Sequence, residues 1–320
     1  MAPMVVAVTV SAAPQTHRGR QLTALLYTES MTTHALQPDT GDPWRLLPFS
    51  DAPMGRQLAL SEGMLAALEE TGAPAMRWYI PRERALVLGN GQRPEVANVE
   101  MLDAAGVRVY KRPSGGAAVL VDDALLSLDL ALPHTHPLAT TDVVRAYQWI
   151  GVLWAEVCRG LGAQDARALP TEAVRAAPSL ERDDPLRLAC YGTLSPWEIV
   201  VDAEPRKLVG LCQIRRRYGA LYQIGVYLRF DSLALAKALV LPSGTREDFA
   251  QRLARAAAGF DEASENSVDA SALIAAFERT LTAKHNAMLM PVDWLPSELA
   301  YADRIEAERF QPLDARSHNR

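Results

Sequence analysis

The chain holds 320 residues, 49% of them hydrophobic, with a formal net charge of −5. That length suffices for one large globular domain or two small ones, and the acidic balance excludes a general nucleic-acid binder, which needs a basic face. No apolar run reaches the roughly 20 residues that span a bilayer, so no membrane segment is expected. Three cysteines, Cys158, Cys190 and Cys212, form an odd, sparse set. They do not read as a disulfide framework, and a reducing, cytoplasmic setting is expected. No metal-ligand spacing joins them to the six histidines.

Residues 1–41 read as a disordered N-terminal extension. The apolar stretch Val5–Val10 lacks the basic region that would precede it in a secretory signal, and Met31 is an alternative start. Arg56–Glu70 reads as an amphipathic helix with Gly72 placed for its C-cap. Met76–Ile80 and Ala85–Leu88 are short strands around the charged turn "PRER". Glu95–Ala105 reads as a helix closed by Gly106, and Val107–Tyr110 as a strand. Leu125–Leu132 alternates in part, which suits a strand with one buried face. Asp142–Cys158 is a helix capped near Thr141 or Asp142. Ala168–Leu188, rich in Ala, Pro and charge, reads as a long loop. Trp197–Val201 is a strand, and the runs flanking Tyr218-Gly219 form a hairpin. Glu247–Phe260 and Ala270–His285 are Ala-rich helices, and after residue 240 only these two and a tail are expected. Strands and helices mix without a βαβ rhythm. The expected class is therefore α+β, a mixed or antiparallel sheet flanked by helices.

"RVYKRPSGGAAVLVDDALLSLDL", Arg108–Leu130, carries the most pointed motif. A P-loop needs a lysine and a hydroxyl after its last glycine, and Gly116 is followed by Ala-Ala-Val-Leu-Val. The dinucleotide fingerprint lacks its third glycine. Two readings stay open from the residues: a tight turn, or a place where backbone approaches a ligand because glycine has no Cβ. Arg112 and Ser114 beside the pair offer a charged donor and a hydroxyl.

Four stretches in order resemble the lipoate-protein ligases and octanoyltransferases, which share a biotin/lipoate ligase-type catalytic domain. They are "WRLLPFSDAPMGRQLALSEGML", "ALVLGNGQ" ending at Gln92, "KRPSGGAAVLVDD" and "ACYGTLSPWEIVVDAEPRKLVGLCQ". The resemblance covers roughly residues 43 to 230. It implies a fold like that of class II aminoacyl-tRNA synthetases and biotin synthetases, a catalytic domain over 42–240, and C-terminal helices with a tail over 241–320. It implies that Gly115 and Gly116 line an acyl pocket and that Lys207 contacts the activated carbonyl. Gln92, Arg112, Ser114, Asp122, Gly210 and Gln213 are the further substrate-binding positions it suggests. The sequence departs from the family pattern at Lys111, Ala117, Val121 and Leu211-Cys212, where relatives carry Arg, Gly, His and Ser-Ala.

The family divides by chemistry. Its ligases make an acyl-adenylate from ATP with Mg, and its transferases need no cofactor and hold the acyl group on a cysteine. Cys190 stands where the resemblance implies that cysteine, and the alternative is a small buried apolar residue. A thiolate is a strong nucleophile and thioester exchange is nearly isoenergetic, so ATP is unnecessary. A free thiol titrates near ~8.5 and needs a positive neighbour or a base at neutral pH, a role that Lys207 is expected to fill. The plain alternative for Lys207 is a solvated hairpin lysine beside Arg206. Cys158 and Cys212 read as core. The resemblance implies octanoyl-carrier protein or the glycine-cleavage H protein as donor, and lipoyl domains of 2-oxoacid dehydrogenases as acceptor. The expected activity is octanoyl or lipoyl transfer. An ATP-dependent lipoate-protein ligase and a non-catalytic carrier-binding relative are the alternatives, and the "Arg215-Arg216-Arg217" run is either a solvated face or a surface for an acidic partner.

Overall fold

A computed structural model describes residues 41–313, and the expectations for residues 1–40 lie outside the described residues. In chain order the elements are β1 (Asp42–Leu46), α1 (Met54–Ala66), α2 (Leu68–Thr71), β2 (Ala75–Tyr79), β3 (Ala85–Leu88), α3 (Val99–Ala104), β4 (Arg108–Lys111), β5 (Val119–Val121) and β6 (Leu125–Pro133). Then follow α4 (Gln148–Gly160), β7 (Arg167–Ala168), α5 (Thr171–Ala176), β8 (Ile199–Val201), β9 (Arg206–Arg216), β10 (Gly219–Tyr227), α6 (Ser232–Ala238), α7 (Arg246–Ala256), α8 (Phe260–Ala263), α9 (Ala270–His285), β11 (Ala287–Pro291) and α10 (Pro296–Arg309). A main sheet runs in the order β11-β1-β2-β6-β10-β9-β8-β7, and a small sheet in the order β4-β3-β5. Both mix parallel and antiparallel neighbours, as the α+β reading expects.

Helices cover one face of the main sheet. Trp78 of β2 meets Trp154 of α4 edge-on at 6.2 Å and Phe277 of α9 at 5.4 Å, contacts worth about 0.5–1.5 kcal/mol each beyond their buried area. The other face carries α1 and the small sheet, whose Val87 and Val121 share a core with Leu58, Tyr79 and Leu125. β6 lies between these layers, so every residue of it is buried, not one face as its partial alternation suggests. Its Asp129 forms a wholly buried ion pair with Arg77 of β2 at 2.8 Å. Gln57 and Ser61 of α1 add hydrogen bonds to both members of the pair, which offsets part of the cost of burying two charges.

Four segments differ from the sequence reading. Glu95–Ala105 is not one helix: a 3-10 turn at Pro94–Val96 is separated from α3 because Ala97 bridges Leu239, and Asn98 then caps α3 by accepting the Met101 N–H. The Asp142–Cys158 helix starts later, since Asp142 folds back to accept the Val144 and Arg145 N–H groups and a 3-10 turn precedes α4. The presumed loop 168–188 holds β7, α5 and a 3-10 turn at Pro185–Leu188. Past residue 240 the chain adds α8, β11 and α10 to the two expected helices. β11 pairs in parallel along all of β1, and Arg45 of β1 grips Glu298 of α10 with two 2.8 Å bonds. No helix among the described residues is long and apolar enough to cross a membrane.

Candidate active site

Between the two sheets lies a narrow apolar cavity of about 90 Å³. Leu125 and Ser127 of β6, Gly210 to Cys212 of β9 and Gln223 to Gly225 of β10 line it from the main sheet. Val87, Val119 and Val121 line it from the small sheet, Met54 and Leu58 from α1, and Cys190 and Tyr191 from the connection before β8. A larger open cleft of about 640 Å³ runs along α4 and the end of α9, and none of the sequence-predicted residues lines it.

Cys190 opens a 3-10 turn and is held by its backbone. Its N–H donates to the Ala118 carbonyl at 2.9 Å, and its own carbonyl accepts the Lys207 ammonium at 2.8 Å. Gln92 braces this arrangement from below: its Oε1 accepts the Gly89 N–H and its Nε2 donates to the Leu188 carbonyl. The thiol thus projects from a segment fixed on both sides, and its side chain is neither buried in the core nor fully exposed.

Gly115 and Gly116 answer the question their motif raises. Both are exposed and neither lines the cavity, but Gly116 stands beside the Cys190 sulfur. Gly116 has φ +92°, and a Cβ there would stand 2.9 Å from an Arg112 nitrogen and 3.7 Å from the Cys190 sulfur. Arg112 is committed to shaping this loop, since it donates to the carbonyls of Val87, Gly115 and Ala117. Gly116→Ala is therefore expected to cost about 1–2 kcal/mol, which urea unfolding measures.

Lys207 is not a solvated hairpin lysine. It is 1% exposed, and its ammonium lies 2.8 Å from a carboxylate oxygen of Glu198, itself 2% exposed. Glu198 also accepts the Ser195 N–H at 2.7 Å and the Leu211 N–H at 3.3 Å. Burial pushes this carboxyl up, while Lys207 and the two N–H donors pull it back. A register shift between Ile199 and Val200 inserts an extra residue of β9 opposite β8. Lys207 and Gly210, three apart, consequently both face the Tyr191 ring.

The other predicted residues divide. Arg112 and Gly210 line the cavity. Ser114 stands behind it, donating to Gln223 and accepting from the Cys212 thiol at 3.4 Å. Gln92, Asp122 and Gln213 do not line it: Asp122 accepts the Ala124 N–H, and Gln213 reaches Val143 across the other face of β9. Cys158 is buried on α4, as expected, whereas Cys212 lines the cavity and is not core. Burial pushes the Cys212 thiol up. Glu198, which is not among the sequence-predicted residues, holds the Lys207 ammonium that clamps the Cys190 carbonyl. Among Arg215, Arg216 and Arg217, the last two pair with Glu62 and Glu69. Among the described residues no three His, Cys, Asp or Glu side chains gather to hold a metal ion.

The profile of the lipoyl protein ligase A/B catalytic domain matches residues 53–282. The chain belongs to the lipoyl protein ligase A/B catalytic domain family. Within that family it is similar to the octanoyltransferase LipM of Kyrpidia tusciae, at 31% identity over 65% of this chain and 74% of the relative. It is also similar to the octanoyltransferase LipM of Geobacillus kaustophilus, at 26% identity over 84% of this chain and 95% of that one. Its fold resembles a bipartite lipoate protein ligase of Thermoplasma acidophilum studied with its E2 lipoyl domain, with TM-score 0.68, 16% identity and coverage of 84% and 94%. It also resembles a lipoate-protein ligase A bound with ATP, with TM-score 0.65, 18% identity and coverage of 84% and 96%. The α+β class and the synthetase-like architecture expected from the sequence are those of these ligases.

Proposed function

We propose that this chain is an acyltransferase of protein lipoylation that carries an octanoyl, or lipoyl, group on Cys190. The observation that carries the reading is the thiol itself, braced through its backbone at the mouth of an apolar cavity between two sheets. In the first step the Cys190 sulfur attacks the carbonyl of an acyl thioester, and the carrier thiol leaves with a proton. One thioester replaces another, so the step needs no cofactor and no ATP. In the second step a lysine amine of the acceptor attacks the acyl-enzyme, an amide forms, and the Cys190 thiol is restored. The cavity takes the alkyl chain out of water, at roughly 0.8 kcal/mol per buried methylene. The lack of a side chain at Gly116, whose Cβ would stand 3.7 Å from the sulfur, leaves the approach to Cys190 unblocked. Octanoyl-carrier protein or the glycine-cleavage H protein is the donor in this reading, lipoyl domains of 2-oxoacid dehydrogenases are the acceptors, and the reducing cytoplasm keeps the thiol free.

Lys207 has a different part from the one its sequence position suggests. With its charge matched by Glu198, it serves as the clamp on the Cys190 carbonyl. The test is intact-mass spectrometry of the protein incubated with octanoyl-carrier protein or octanoyl-H protein and no ATP. The expected result is one acyl adduct, which moves to an apo lipoyl domain when that is added. Absence of an adduct with either donor, together with transfer from free octanoate only when ATP and Mg are supplied, makes the chain a ligase. No transfer under either condition makes it a carrier-binding relative without chemistry.

A further inference from the structure

We infer that Glu198 is a positioning residue of this site, fixing the aim of the Lys207 ammonium and, through it, the backbone that presents the Cys190 thiol. The inference rests on the acyltransferase reading for its purpose, but its geometry stands apart from it.

Glu198 is wired on every side. Its two oxygens take the Lys207 ammonium at 2.9 and 2.8 Å, the Ser195 N–H and the Leu211 N–H. The ammonium's other partner is the Cys190 carbonyl at 2.8 Å. That carbonyl oxygen is separated from the sulfur of its own residue by only four covalent bonds. A carboxylate, an ammonium and a nucleophile-bearing backbone therefore form one chain, with the carboxylate as its anchor.

The backbone pays attention to that anchor. Trp197, next to it, adopts φ +71°, a left-handed conformation that an aromatic residue enters only when its surroundings enforce it. Two contacts enforce it here. The Trp197 N–H donates to the Leu169 carbonyl at 2.6 Å, and the Trp197 carbonyl presses on α4 at Gly151, where a Cβ would stand 2.3 Å from it. The result is that Glu198 turns inward beneath the cysteine. Stability alone gives little reason for such an arrangement, because a buried ion pair is often no more stabilising than apolar side chains of the same volume.

The consequence is positional. A side chain at 198 that cannot hold the ammonium frees it from the Cys190 carbonyl, and the backbone that presents the thiol loses its fixed aim.

The experiment reads two quantities in wild type, Glu198→Gln and Glu198→Asp: the rate of alkylation of Cys190 by iodoacetamide, followed on the Cys190 peptide by mass spectrometry, and kcat and KM of acyl transfer. Glu198→Gln is expected to slow alkylation about threefold or more and to lower kcat about tenfold with KM for the donor within about twofold. An alkylation rate equal to that of wild type overturns the inference, as does an unchanged kcat. Where Glu198→Gln fails to fold, Glu198→Asp keeps the charge but shortens the reach, and the same two readouts with the same expected losses decide. Because alkylation needs no acyl donor, its outcome is independent of whether the acyltransferase reading survives.

Discussion

Cys190→Ser is expected to abolish the acyl-enzyme and to cut acyl transfer by about 10³-fold or more, with a fold as stable as that of the parent. The first half follows from chemistry: a serine hydroxyl is far less ionised than a thiol near neutral pH, and among the described hydrogen bonds the one basic side chain at residue 190, Lys207, bonds its backbone carbonyl and not its side chain. The second half follows from geometry. Lys207 and Ala118 hold the backbone of residue 190, not its side chain, so the substitution leaves the clamp in place and changes stability by less than about 1 kcal/mol. Acyl-enzyme mass, single-turnover transfer and urea unfolding on the same preparation separate the two. A serine variant that transfers at more than about a tenth of the parental rate removes Cys190 from the chemistry.

Lys207→Met has the opposite profile, a large loss of stability. It leaves Glu198 buried without its cation, a change expected to cost about 3–5 kcal/mol. The loss depends on pH in a stated direction. Burial already pushes the Glu198 carboxyl up, and Lys207 is the largest influence pulling it down; without the lysine the folded-state value rises further. A carboxyl whose folded pKa lies above its unfolded value favours the folded state at low pH, and that contribution disappears as pH rises through the folded pKa. The deficit of the variant against wild type is thus greatest at neutral pH and narrows as pH falls toward the unfolded carboxyl value of about 4.3. Urea midpoints at pH 7.5 and pH 5 measure it. A deficit that is equal at the two values shows that the methionine acts through packing and not through an orphaned charge.

What was legible in the sequence follows the range of the interactions involved. α9 runs from Ala270 to His285, as its pattern predicts, because its ends are set locally: Asp269 accepts the Ala272 N–H, and Asn286 follows with φ +52°. The β9–β10 hairpin is equally local. The break in the helix expected at 95–105 depends on a bridge from Ala97 to Leu239, which no window of sequence displays. The glycine pair could be read as a place where only glycine fits, yet its neighbour is a sulfur 74 positions later, and only the fold brings the two together. Arg112 looked like a ligand donor, but its acceptors are the carbonyls of its own loop and of β3. Strict alternation along β9 would put Lys207 and Gly210 on opposite faces. The extra residue opposite β8 reverses that, and nothing in "RKLVGLCQ" announces it. The same alternation did hold a usable signal for Cys212, two residues beyond Gly210 and so on its side of the strand.

The position of β1 has a bearing on how the polypeptide is made. This early strand meets β2 at two residues only, but β11 along its whole length. Its principal neighbour therefore leaves a ribosome about 240 residues after it. Until residue 291 emerges, one margin of the nascent sheet lacks its mate, a condition that slows assembly and invites mispairing or capture by chaperones during translation.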